Sequence, residues 1–114
     1  MFAVIFEAEP FPDSRQRYLE LAAELKPLLA DIEGFISIER FQSLSQPEKI
    51  LSLSWWQDEE AVLNWRRQTE HRSAQQEGRD SIFSHYRLRV TSVVRDYSKT
   101  DRGQAPVKDD NCHG

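Results

Sequence analysis

The order of apolar patterns along the chain is the feature that most limits how it can fold. Helical periodicity separates the first two strand-like runs, and a second helical pattern separates the last two. The order strand, helix, strand, strand, helix, strand is typical of the split β-α-β arrangement. We therefore expect an α+β, ferredoxin-like fold with one antiparallel four-stranded sheet. The runs with strand composition or two-residue alternation are residues 2–8, 35–43, 50–56 and 86–97.

The first helix is predicted to follow the prolines that end the first strand. Asp13 can cap its first turn, and apolar side chains recur at a helical spacing from Tyr18 to Ile32. Pro27 lies inside that pattern, so we expect a kink near residues 24–26 rather than an end of the helix, because proline removes a donor and crowds the preceding turn. Gly34 is expected at the left-handed position that ends the helix.

Alternation assigns the side chains of the middle strands to faces of the sheet. Phe35 and Phe41 are predicted to share one face of the second strand. In the third strand, Trp55 belongs to the face with the leucines and Trp56 to the face with the serines. Asp58 is then predicted to cap the second helix, and a further short helical piece is expected at residues 70–77.

The C-terminal segment, residues 98–114, differs in composition from the rest of the chain. It contains two glycines, one proline and six charged residues but no aromatic residue. Such a segment cannot bury enough apolar surface to offset the entropy lost on ordering. We therefore predict a folded domain of residues 1–97 and a disordered tail.

Composition narrows the classes of partner. The net charge of −4 provides no broad cationic surface, so nucleic acid is not expected as a partner. The N-terminus lacks a basic region and reaches Glu7 after a short apolar run, so neither a signal peptide nor a membrane span is expected, and we predict a cytoplasmic protein. The single cysteine, Cys112, excludes an intramolecular disulfide and a zinc cluster, so no metal site is predicted.

Large apolar side chains on the strands predict a partner for the sheet. If only one face is covered by helices, the other exposes an apolar patch larger than monomers usually tolerate. We therefore expect a homodimer in which two sheets pack face to face or join into a barrel.

Four segments carry a resemblance to a known family: "EGFISIERF", "LSLSWWQDEEAVLNWR", "EHRSAQQEGR" and "YRLRVTSVVRDY". They resemble the antibiotic biosynthesis monooxygenase domain family of dimeric α+β barrels, over roughly residues 1–97. The resemblance implies a cavity between sheet and helices. It also implies several activities, which include cofactor-independent oxygenation of anthrone- or quinol-like substrates and haem degradation.

The second helix supplies two candidate catalytic residues. Trp65 matches a cavity-facing tryptophan of the family, although its ring could simply cover the sheet. His71 lies where some anthrone-oxidising members have a tyrosine, and a neutral histidine can act as a base; the alternative is a solvated turn. On an unbroken helix the two would lie about 120° apart, so a joint site requires a break near Gln68 and Thr69.

The last strand supplies the third catalytic candidate. Arg87 is predicted to hold an oxyanion of the substrate, or else to be one of several charges that protect a sheet edge. The walls of the substrate site are predicted to be Trp55, Phe83 and Tyr86.

These residues lead to a functional hypothesis with two alternatives. The resemblance implies a monooxygenase that oxidises a small aromatic, anthrone- or quinol-like substrate with dioxygen and uses no cofactor, and the absence of a glycine-rich phosphate loop agrees with this expectation. The family's cavity asparagine is missing at Ala61, which keeps open a non-catalytic ligand-binding or stress-response dimer. A haem-degrading enzyme ranks third, because Gln75 occupies the position of the iron-ligating histidine.

Overall fold

The computed structural model describes residues 1–70 and 81–106, and the predicted element order is confirmed there. The four strands form one antiparallel sheet in the order β2-β3-β1-β4, which is the ferredoxin-like arrangement. No helix within these ranges is both long and apolar enough to cross a membrane. The elements are β1 (Phe2–Pro10), a short 3₁₀ helix (Pro12–Ser14), α1 (Arg15–Ala30), β2 (Phe35–Gln42), β3 (Ile50–Trp56), α2 (Glu59–Glu70) and β4 (Phe83–Ser92).

Both helices pack on one face of the sheet, where the buried side chains form two separate clusters. The first cluster joins the end of α1 to the start of α2 around Trp56, which is 1% exposed. The second cluster joins the start of α1 to the other end of the sheet, where Tyr18 and Leu21 pack against Ile50 and Ile82. The space between the two clusters is therefore enclosed by core on two sides.

An extra residue in β2 changes the assignment of its aromatic rings. Phe35 is paired with Trp56 and Ser37 with Trp55, so Ile36 is the additional residue of a β-bulge. Phe35 consequently lies on the helix face, with its ring centroid 5.1 Å from that of Trp56. Phe41 lies on the opposite face and is 43% exposed. The prediction that these two phenylalanines share a face is wrong, because strict alternation does not account for a bulge.

The ends of the helices agree only in part with the predicted caps. The Asp58 carboxylate accepts a hydrogen bond from the Ala61 backbone N–H at 2.9 Å, which confirms the cap of α2. The residue preceding α1 is Ser14 rather than Asp13, and no side-chain hydrogen bond caps that helix. Pro27 lies inside α1, as predicted.

Gly34 has a positive φ of 91° but does not form the C-terminal cap of α1. The helix ends at Ala30 with Asp31 as its right-handed cap residue. Gly34 instead lies in the turn that follows, where its carbonyl accepts a hydrogen bond from the Gln57 N–H at 2.8 Å. The left-handed glycine therefore joins α1 to the sheet rather than ending the helix.

The last strand occupies a different range from the predicted one. The predicted range was 86–97. β4 begins three residues before it, at Phe83, and ends five residues before its end, at Ser92. Beyond it, the Val93 N–H donates to the Met1 carbonyl, and turn hydrogen bonds involve residues up to Ala105. The further helical piece predicted after Glu70, and Cys112, lie outside the described residues.

Candidate functional site

A cavity of about 310 Å³ lies between the sheet and the two helices, in the space that separates the two core clusters. This volume falls at the lower end of the roughly 300–1,000 Å³ typical of small-molecule sites. Its lining is mainly aliphatic and aromatic, with a small number of polar groups. The aliphatic part is formed by Val4, Leu21, Ala22, Leu25, Leu29, Ile38, Val62, Ile82 and Leu88.

The cavity exists because β3 turns its small side chains toward the helices. Ser52 and Ser54 are only 7% and 5% exposed, and both line the cavity. The leucines of the same strand point to the other face of the sheet. A serine at these positions occupies less volume than the aliphatic side chains that usually fill a core, so space remains above the middle of the sheet.

One wall of the cavity is polar. The Arg40 Nε donates to the hydroxyl of Tyr18 at 3.4 Å, and the tyrosine is 7% exposed. Arg40 is the cross-strand neighbour of Ser52, so its side chain and that hydroxyl lie on the same face of adjacent strands. Next along β3, the Trp56 indole N–H donates to the Ser54 hydroxyl at 2.9 Å.

A second wall of the cavity is aromatic, and it meets the polar wall at Tyr18. Phe6 of β1 stacks on Tyr86 with ring centroids 5.8 Å apart, and meets Phe83 edge to face at 5.5 Å. Phe83 also meets the Tyr18 ring edge to face at 5.4 Å. A bulge at Ser84 places the two aromatic residues of β4 on the same face although three positions separate them.

Trp65 lines the cavity from α2, one turn after Val62, and packs against the first core cluster. Arg66 also borders the cavity from the same helix. The helix continues through Gln68 and Thr69 to Glu70, so the break that a joint site would require is not present at those two residues. His71 lies outside the described residues, and its placement beside Trp65 stays a prediction.

The structure brings together three of the predicted site residues, Trp65, Phe83 and Tyr86. Trp55 and Arg87, which were predicted to belong to the site, do not border the cavity. Both are paired with residues of the uncovered sheet face, Ala3 and Glu7 respectively.

Other residues supply the tryptophan ring and the guanidinium that were predicted for the site. Trp56, the other ring of the pair, faces the helices, and Arg40 is the guanidinium on the helix side of the sheet. On the uncovered face, Glu7 forms an ion pair with Arg89 at 3.3 Å.

The polar residues of the cavity were missed by the sequence prediction, although one signal pointed to them. Two-residue alternation puts Arg40 on the same face of β2 as Ile38, and the serines of β3 on the face of Trp56. What alternation alone does not supply is which face the helices cover. The missed residues are Tyr18, Arg40, Ser52, Ser54, Trp56 and Arg66.

The fold and the cavity together place the chain in a class of small α+β proteins that have a ligand-sized space between sheet and helices. Comparison with known sequences identifies the family within this class. The chain belongs to the antibiotic biosynthesis monooxygenase family, which matches residues 1–77. It is 50% identical over 94 residues to a jasmonate monooxygenase ABM of Pyricularia oryzae. That match covers 82% of this chain and 44% of the relative, so this chain spans less than half of its length.

Solved structures show the same fold at low sequence identity. The Rv0793 protein of Mycobacterium tuberculosis superposes with a TM-score of 0.74 at 15% identity, over 85% of this chain and 98% of that one. A variant of SnoaB, a cofactor-independent oxygenase of Streptomyces nogalater, gives a TM-score of 0.71 at 9% identity. The second match covers 83% of this chain and 94% of SnoaB. At such identities the likeness establishes the fold alone.

Proposed function

We propose that this chain is a monooxygenase domain that binds a small, mainly apolar substrate in the cavity between sheet and helices. The observation that carries the proposal is the cavity itself, which is lined by aliphatic and aromatic side chains with a few polar groups on one wall. The family and the jasmonate monooxygenase of Pyricularia oryzae support an oxygenase activity.

Two substrate classes fit this lining. The first is the anthrone- or quinol-like class that the family resemblance implies, whose flat rings match the aromatic wall formed by Phe6, Phe83 and Tyr86. The second is a jasmonate-like compound, a cyclopentanone with an apolar chain and a carboxylate, favoured by the 50% identity to a protein of that name. Both classes combine a large apolar body with one or two oxygens.

The anthrone-like reaction requires no external electrons. We assign His71 the removal of a proton from the activated carbon, with Trp65 as part of the wall that excludes water. The carbanion passes its electrons to dioxygen and the resulting hydroperoxide loses water, so one CH₂ becomes a carbonyl and one dioxygen becomes one carbonyl oxygen and one water. Hydroxylation of an unactivated carbon in a jasmonate-like substrate differs, because it consumes two further electrons and two protons.

The experiment that tests this function is oxygen uptake by the purified protein. Anthrones, hydroquinones and jasmonate are supplied in turn, each with and without NADPH as a two-electron reductant, and the products formed from heavy-isotope dioxygen are analysed by mass spectrometry. We expect one labelled oxygen atom in the product of one class. Dependence on NADPH then separates hydroxylation from carbanion oxidation. Absence of labelled product from every compound would contradict the proposal.

Ligand binding without turnover would instead favour the non-catalytic alternative. A ligand that binds only the folded state raises the melting temperature, so the same compounds are tested by thermal melting. A stabilised protein that consumes no oxygen with the stabilising compound is the signature of a binding module.

We further propose that the chain forms a homodimer through the uncovered face of the sheet. This outer face carries half-exposed apolar side chains in its centre, among them Ile5, Leu53 and Trp55, and Phe41 near one corner. Acidic residues of β1 and β2 and arginines of β4 lie on the same face. A two-fold contact would bury the apolar centre and allow opposite charges of two copies to meet.

A further inference from the structure

The polar wall of the cavity contains three groups that converge from different elements. Tyr18 comes from α1, Arg40 from β2 and Ser52 from β3, and we call them the Arg40 cluster. The Arg40 Nε donates to the tyrosine hydroxyl at 3.4 Å, and Arg40 is the cross-strand neighbour of Ser52. A guanidinium and two hydroxyls therefore border the same part of a mainly apolar space.

The hydrogen-bonding capacity of this cluster is only partly used. In the described parts of the chain, no carboxylate lies in ion-pair range of Arg40, and its terminal nitrogens donate to no other group. Ser52 is 7% exposed, and within residues 1–70 and 81–106 its side chain makes no hydrogen bond. Buried polar groups are usually paired, because an unpaired group loses its hydration without compensation.

The chemistry of the Arg40 guanidinium and the Ser52 hydroxyl indicates which ligand would satisfy their remaining hydrogen bonds. A guanidinium presents parallel N–H donors that match the two oxygens of a carboxylate, and a serine hydroxyl can donate to the same anion. A half-buried cation also favours an anion over a neutral ester, because the partly apolar surroundings strengthen the attraction. The aromatic wall, which adjoins the cluster where Phe83 meets Tyr18, leaves the remainder of the ligand in an apolar environment.

We propose that the Arg40 cluster is a carboxylate-binding subsite, which makes the substrate a small monocarboxylic acid with an apolar body. The inference rests on the proposed function only in taking the cavity as the place where substrate binds. Arg40 binds and orients the acid group, while the carbon to be oxidised lies toward Trp65 and the aromatic wall.

Calorimetric titration with matched acids and methyl esters tests the subsite directly. The probes are jasmonic acid with methyl jasmonate, and naphthoic acid with its methyl ester, at neutral pH where both acids are ionised. We expect at least one acid to bind about tenfold or more tightly than its ester, since hydrogen bonds to a charged group are the strong ones. Equal affinities for acid and ester, or no binding by any of the four, would overturn the proposal.

Two variants test whether the Arg40 cluster causes the preference for the acid over the ester. Arg40→Gln is expected to weaken binding of the acid by about tenfold to a hundredfold while the ester binds as before, which also reports an intact cavity. Ser52→Ala, which keeps the guanidinium, is expected to weaken binding of the acid by about threefold to tenfold and serves if Arg40→Gln does not fold.

Arg17→Gln, on the exposed side of α1, is the matched control and should leave both affinities unchanged. An acid preference that survives Arg40→Gln would contradict the assignment. Because the titrations need no turnover, an acid preference without oxygen uptake would refute the proposed activity alone, and labelled product without an acid preference would refute the subsite alone.

Discussion

At the scale of single residues, Gly34 connects the helices to the sheet through a conformation that other residues rarely adopt. Its φ is 91°, and a β-carbon built on it would lie 2.7 Å from the Ala61 β-carbon at the start of α2. The glycine therefore allows the turn after α1 to approach α2 closely, beside the first core cluster.

Replacing Gly34 should be costly for this reason. Gly34→Ala is expected to lower the free energy of unfolding by about 2–4 kcal/mol, because it adds left-handed strain and a clash with backbone-linked atoms. Equilibrium unfolding in urea measures the change. Gly103→Ala, where nothing lies within 4 Å of the added carbon, should change stability by less than about 0.5 kcal/mol. Equal effects at the two glycines would contradict this account of the turn.

The size of two side chains decides whether the protein has a cavity. Ser52 and Ser54 face the helices, and the leucines between them face away. The sequence "LSLSWW" predicts the alternation correctly but not its direction, because an apolar face of leucines is equally suited to a core and to an interface. The polar wall of the site could therefore not be assigned before the positions of the helices were known.

At the scale of elements, α2 has a side-chain cap and α1 has none. Asp58→Ala should destabilise the protein by about 1 kcal/mol, since it removes the hydrogen bond to the Ala61 N–H and a negative charge at the start of the helix. Asp13→Ala, the cap predicted from the sequence, should change stability by less than about 0.5 kcal/mol. Urea unfolding of the two variants compares them, and a larger effect at Asp13 would contradict the observed caps.

The elements themselves were predictable, and the departures from regularity were not. Helical and two-residue periodicities run through enough residues to predict two helices and four strands in the correct order. Each bulge, at Ile36 and at Ser84, involves one residue and leaves no periodic signal, yet it decides the face of Phe35 and of Phe83. Trp65 was assigned to the site through the family resemblance and Tyr86 through its place at the start of the last strand, and both line the cavity.

At the scale of the whole molecule, the outer face of the sheet makes the proposed dimer testable. Leu53 lies at the centre of that face, between Ile5 and Glu39 on the neighbouring strands. Leu53→Asp is expected to convert a particle of twice the chain mass of 13.4 kDa to a monomer, because a charge without a partner would be buried in the contact.

Light scattering coupled to gel filtration gives the mass of each variant. Leu44→Asp provides the control, since Leu44 lies in the β2-β3 hairpin and is fully exposed. A monomeric unaltered protein would contradict the dimer, and so would a Leu53→Asp variant that remains dimeric.

If substrate is oxidised in the cavity between sheet and helices, a side chain that fills this cavity should abolish oxygen uptake, and a matched pair of variants measures this effect. Ala22 is buried on the cavity side of α1, whereas the adjacent Ala23 is exposed. Ala22→Phe fills part of the 310 Å³ cavity, and Ala23→Phe adds the same ring to the outside of the helix.

We predict that Ala22→Phe reduces oxygen uptake with the substrate found for the unaltered protein by at least about a hundredfold, since loss of a site that aligns the reactants removes much of the rate enhancement. Ala23→Phe should retain uptake within about twofold, because its ring meets solvent rather than substrate. Equal rates for the two folded variants would contradict the claim that the reaction takes place in this cavity.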